Sequence, residues 1–191
     1  MNRLRFIFPA FLFVALFAGT ALSQSTDLFT SEEGGFTIDL PKEGVTVDNT
    51  PEDEAGLGKG KRYSWLTLED RVFIISYYLM DEGKVVSSKE RKNLVAGFQQ
   101  GFVKGFRRNK YTITEKPYSF KIYRGTEFRV GLPGGISVTR LFTTPTHMYV
   151  IQTTVRGKDR AKETTAVKSL DTFRLLGTNE KTRKTSNATT R

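Results

Sequence analysis

Cysteine is absent from the 191 residues, and histidine occurs once, at His147. The first absence excludes disulfides, thiolate chemistry, a cysteine zinc site and lipid attachment through an N-terminal cysteine. The second leaves any Ser-His-acid arrangement dependent on His147, and no Gly-x-Ser-x-Gly elbow accompanies it. His147 reads instead as a surface histidine that opens a strand after Pro145-Thr146. One histidine without cysteine also argues against zinc. Glu52-Asp53-Glu54 lacks the spaced ligands of a calcium loop and reads as a solvated charge run. Gly56-Leu57-Gly58-Lys59-Gly60-Lys61 lacks the spacing of a phosphate loop and leads into a strand rather than a helix.

Long apolar runs are missing too. The N-terminal one, Phe6 to Ala18, is interrupted by Pro9 and ended by Gly19-Thr20, short of the ~20 residues that span a bilayer comfortably. With Arg3 and Arg5 before it and small Ala21 and Ser23 after it, residues 1–23 have the order of a secretory signal cleaved after Ser23. The expected product is exported, soluble, and periplasmic or extracellular. Processing removes two arginines and takes the net charge from +10 to +8. The remaining ~168 residues suit one domain that buries a core without staples.

Acids are few: 20 Asp and Glu against 30 Lys and Arg. Thr178 to Arg191 hold a single Ala as their only apolar residue, too little to offset the entropy of folding, so 178–191 is expected to be a disordered basic tail. Four bases against Glu180 give the tail +3 and leave +5 on the domain at 24–177. Asn187-Ala188-Thr189 is formally a glycosylation sequon, a pattern short enough to arise by chance in a Thr-rich tail.

Within the domain, Phe36 to Leu40 alternates apolar and polar and stops at Pro41, which predicts a short strand. Residues 42–58 read as an exposed loop. Two strands follow, Gly60 to Leu68 and Arg71 to Met80; the second is apolar on both alternating faces and should be central and covered on both sides. Ser87 with Glu90 forms a capping-box signature. Leu94, Val95, Phe98, Phe102 and Phe106 then fall on one arc of a helix. Gly97, Gly101 and Gly105 form a second ridge, and each costs up to ~1 kcal/mol relative to alanine. Close packing of the helix on its own sheet is the expected compensation; a small-residue helix contact in a dimer is the alternative. Tyr111 to Lys116, Tyr118 to Gly131, Ile136 to Thr144 and His147 to Val155 read as further strands, broken at Pro117, at Leu132 to Gly135 and at Pro145-Thr146, the last three forming a meander. A second helix over Asp159 to Ser169 leads to an apolar end that docks on the core. The fold class is α+β.

Gly34-Gly35-Phe36-Thr37-Ile38-Asp39-Leu40-Pro41, Arg140-Leu141-Phe142 followed by Met148-Tyr149-Val150-Ile151, and the closing Leu170-Asp171-Thr172-Phe173-Arg174-Leu175 resemble the PsbP-like α/β/α sandwich and the small exported bacterial domains related to it. The resemblance spans about 28 to 176. It implies an antiparallel β-sheet of about six to seven strands covered by helices on both faces. It also implies a non-enzymatic assembly or binding role, as in photosystem-associated and nuclear-transport members. No ligand residue and no cofactor carries over, because fold alone does not confer function.

The one suggestive surface is basic. Lys89, Lys92, Lys104 and Arg107 lie opposite the apolar arc on the helical projection, with no acid among them. Such charges are what a solvated helix face ordinarily carries, and they would also hold an anionic envelope surface. Nucleic acid would be attracted by the same charges, but export sets it aside. Three readings result: an exported accessory domain with a protein partner of the cell envelope, a binder of anionic envelope surfaces through the basic helix and tail, and a hydrolase whose acid pair meets only in space.

Overall fold

The computed structural model describes residues 26–42, 45–46, 59–67, 71–80, 85–157 and 159–177. The signal at 1–23, the tail at 178–191 and Glu52-Asp53-Glu54 lie outside the described residues. The alternating segments form strands: β1 (Thr26–Ser31), β2 (Phe36–Pro41), β3 (Val45–Thr46), β4 (Gly60–Leu66) and β5 (Arg71–Leu79). The 3.6-period segment forms α1 (Ser88–Arg108), and four strands succeed it: β6 (Thr112–Phe120), β7 (Tyr123–Leu132), β8 (Gly135–Thr143) and β9 (His147–Arg156). Helix α2 (Arg160–Leu170) and β10 (Arg174–Leu175) complete the described elements.

These strands make two antiparallel sheets rather than one. Seven strands run in the order β3-β4-β5-β9-β8-β7-β6, and β1-β2-β10 form a separate three-stranded sheet. The α+β class holds, while the strand at Phe36 belongs to the small sheet, paired with β1 along its length and with β10 at Thr37 and Phe36. Beyond that short pairing the Thr172 hydroxyl stands in for a strand, accepting the Asp39 N–H at 2.9 Å.

Successive side chains of a strand point to opposite faces of its sheet. Tyr149, Ile151 and Val155 of β9 accordingly join one core, with Phe36, Ile38 and Leu40 of β2 and Ala166 and Leu170 of α2. Met148 and Val150 of the same strand join the other, packed against Leu94, Val95, Phe98 and Phe102 of α1. The first core is largely aromatic: Phe173 stacks on Phe36 at 5.1 Å and meets Phe120, Phe142 and Tyr149 edge-on at 5.5 to 5.7 Å. Strand β5 is interior, between β4 and β9, but only one of its faces is covered throughout. Phe73, Ile75 and Tyr77 are fully buried, whereas on the other face the cover reaches Tyr78 and Met80 and leaves Val72 and Ile74 half-buried.

Proline 117 does not break the chain. Strand β6 runs straight through it, because β6 is the last strand of the sheet and an edge position needs no donor on its outer side. The break comes at Lys121-Ile122, where Lys121 takes φ 52° and Phe120 pairs with Tyr123 across a tight hairpin.

An ionic cluster fastens α2 to the sheet. Glu127 on β7, 2% exposed, accepts from Lys116, Arg129 and Arg140, each at 3.0 Å. Arg140 reaches Asp171 at 2.6 Å and Arg129 reaches Glu163 at 2.8 Å, while the Arg140 guanidinium lies 4.8 Å from the Tyr118 ring centre. Burial alone would raise the pKa of Glu127, but the hydrogen bonds from Lys116, Arg140 and Arg129 outweigh it and hold the carboxyl below its ordinary range.

Helix α1 is well finished at both ends. The Ser87 side chain accepts from the Glu90 N–H while the Glu90 carboxylate accepts from the Ser87 N–H, the reciprocal capping box. At the other end Lys110 takes φ 59°, its N–H donates to the Arg107 carbonyl, and the Tyr111 N–H donates to that of Phe106, a Schellman closure sealed by contact of those two rings. Between the ends no residue of α1 is fully buried. Gly97, Gly101 and Gly105 are exposed, and a methyl group built on any of them meets nothing within 4 Å beyond the helix's own backbone. The expected close packing of this ridge on the sheet is therefore overturned: the glycines face outward.

Two stability predictions follow from these contacts. Glu127→Leu leaves Arg140 buried without its main counter-ion and should cost about 3 kcal/mol in urea unfolding; adding Arg140→Met should recover much of that loss. Replacing Gly97, Gly101 and Gly105 together by alanine should stabilise the domain by about 2 kcal/mol, since no steric conflict offsets the gain in helix propensity.

Candidate functional site

The four cations nominated on α1 are all exposed, and the fold divides them into separate settings. Lys104 and Arg107 line a cavity of about 660 Å³ with Gln100, Val103 and Arg108, closed on the sheet side by Glu115 of β6. Lys92 lines a second, of about 390 Å³, with Arg91, Val95 and the hairpin residues Ile122, Tyr123 and Arg124. Lys89 lines neither. Lys92 thus lies beside the β6–β7 hairpin rather than opposite the apolar arc. Ala96 and Gln99 border both cavities, and Gln99 donates to the Thr126 hydroxyl of β7.

The sequence reading missed Arg124 because only the tertiary fold brings β7 beside α1. Arg91 falls on the apolar side of the helix, half-buried with its guanidinium donating to the Val86 carbonyl, and Arg108 is exposed at a flank of the arc. Along α1 six Lys and Arg stand against one acid, Glu90, and that carboxylate is engaged by Ser87 in the cap. Hydrogen bonding to Ser87 holds the Glu90 pKa below its ordinary value, so the cap carries its charge at neutral pH. The surface combines aliphatic walls with cations on a rigid helix, a chemistry suited to anionic groups carried on an extended or flat partner.

The acids that converge elsewhere do so around arginines. Glu127 and Glu163 flank Arg129, and Glu127 and Asp171 flank Arg140. A carboxyl held below its ordinary range is the reverse of what a general acid needs. Among the described residues, no three His, Asp or Glu side chains gather as metal ligands would.

His147 is not at the surface. It begins β9 half-buried, its ring stacked on Tyr149 at 5.6 Å and 6.0 Å from Tyr77, with Nδ1 hydrogen-bonded to the Thr146 hydroxyl at 2.8 Å. Burial lowers its pKa from the ordinary 6.5, against a smaller opposing effect of the Glu33 backbone. The unfolded chain therefore takes up this proton first on acidification. The stability contributed by neutral His147 is complete above 6.5 and is lost as pH falls through the lower folded value. Melting temperature should drop as pH falls below 6.5, and His147→Phe, which keeps the ring stack, should flatten that drop.

No family model and no curated relative matches the chain. Among solved structures it is similar to the cyanobacterial PsbP, CyanoP, from Synechocystis sp. PCC 6803, with a TM-score of 0.55 over 80% of this chain and 94% of that one, at 11% identity. Among the described residues no helix is long and apolar enough to cross a membrane. The expected resemblance thus holds at the level of architecture: the chain has a PsbP-like fold.

Proposed function

We propose that the chain is an exported, non-enzymatic accessory domain that holds an anionic partner of the cell envelope against α1. The observation that carries this reading is the charge of the helix, six cations against one acid that its own cap engages; five of the six line the two cavities, and among the described residues none of them is held in an ion pair. The PsbP-like fold is consistent with an accessory role. Export rests on the order of basic, apolar and small residues at 1–23 and is checked by N-terminal sequencing of the secreted product, which should begin at Gln24.

The processed protein should bind anionic vesicles or cell-wall polymer at about 0.05 M salt and release near 0.5 M, because exposed charges are screened within a few ångströms there. Reversing Lys92, Lys104 and Arg107 to glutamate should weaken low-salt binding at least tenfold. Retention undiminished by salt and by the triple reversal would sink the proposal.

A further inference from the structure

The two most exposed large apolar side chains among the described residues stand at one end of the molecule, beside several cations. Ile122, 75% exposed, is the tip of the β6–β7 hairpin, and Val85, 77% exposed, lies three residues before the start of α1. The Val86 N–H donates to the Pro145 carbonyl at 2.9 Å, while Thr143, two residues earlier, borders the same cavity as Ile122, Arg124 and Ser88. Both apolar tips therefore sit at the end of the sheet where β8 turns into β9. Around them are Arg91, Lys92 and Arg124, which line that cavity, and the exposed Lys89. Glu90 is engaged in the cap, and in the sequence Asp81 and Glu82 against Lys84 add one net negative charge, which these four cations outnumber.

Folding does not account for all of this placement. Lys89 lies in the first turn of α1, where the helix dipole disfavours positive charge, whereas Arg107 and Arg108 at the far end are favoured by it; Arg91, also in the first turn, is held there by donating to the Val86 carbonyl. An isoleucine at a tight hairpin tip likewise contributes nothing to either core. Apolar tips ringed by cations match one kind of partner, a bilayer with anionic headgroups, in which the tips reach the acyl boundary while the cations stay at headgroup level.

Resting on the anionic-surface reading above and naming the surface, we propose that this end of the domain docks on an anionic lipid bilayer, with Ile122 and Val85 inserted and Lys92 and Arg124 on the headgroups. The cavity holding Lys104 and Arg107 lies about 20 Å further along the helix axis, at a rise of 1.5 Å per residue.

The test uses the protein processed to Gln24 and vesicles of equimolar phosphatidylglycerol and phosphatidylcholine, with immobilised polyphosphate as a soluble-polyanion control. Ile122→Ser with Val85→Ser should lower vesicle affinity about tenfold and leave polyphosphate retention unchanged. Both side chains are exposed, so a circular-dichroism melt should show the fold intact. Ile122→Trp should give a blue-shifted emission on vesicles that brominated phosphatidylglycerol quenches, against a constant background from Trp65, which is buried. Unchanged vesicle affinity in the double serine variant, or tryptophan emission unmoved while the protein sediments with vesicles, overturns the insertion proposal and leaves electrostatic binding standing. Polyphosphate retention without vesicle binding does the same. Binding to neither removes this proposal together with the function on which it rests.

Discussion

The aromatic layer between the two sheets is the constraint on which the remaining structure depends. Phe36, Phe120, Phe142 and Tyr149 close around Phe173, and all five are buried. Since side chains alternate along a strand, committing Phe142 and Tyr149 to this layer commits Leu141, Met148 and Val150 to the opposite face. A slip of β8 by one residue would carry Phe142 out of the layer and part Arg140 from Glu127 in the same step. What remains for α1 is a narrow apolar strip, and this is why Phe98, Phe102 and Phe106 pack along it without any of them becoming fully buried.

The molecule treats its charges in two ways. On the face shared with α2, Lys116, Arg129 and Arg140 are matched by Glu127, Glu163 and Asp171, and the two buried members, Glu127 and Arg140, pair with each other. Such a cluster satisfies groups that would be costly to bury alone and fixes how the second helix sits, without adding much net stability over apolar packing. Along α1 the charge is instead left in excess and in contact with solvent. The same residue types therefore serve position in one place and display in the other, and burial separates the two uses.

Much of this was legible in the sequence wherever local rules decide. Alternation marked β2, an apolar run marked β5, the break at Pro145-Thr146 marked β9, Ser87 with Glu90 marked the start of α1, and the three segments resembling the PsbP-like sandwich led to the observed architecture. The departures came from long-range pairing. Nothing local shows that Phe36 and Thr37 will pair with Arg174 and Leu175, so the small sheet went unforeseen. Proline 117 signals a break unless its strand is known to be the edge, which only the strand order tells. His147 does open a strand, but it read as a surface residue because its burial comes from Tyr77 and Tyr149, one of them far away in sequence. The basic residues of α1 were found by projection, but their division between two cavities follows from where β6 and β7 lie.

Helix α1 carries features that its own stability does not explain. Three glycines weaken its middle without admitting a close neighbour, and two cations in its first turn oppose its dipole. The capping box and the Schellman closure compensate at the ends, so the helix persists on a shallow apolar strip. A sequence optimised only to cover the sheet would place alanine at 97, 101 and 105 and acids near residue 89. The composition of α1 is instead that of a surface held out to solvent, which is what the proposed docking on an anionic surface requires of it.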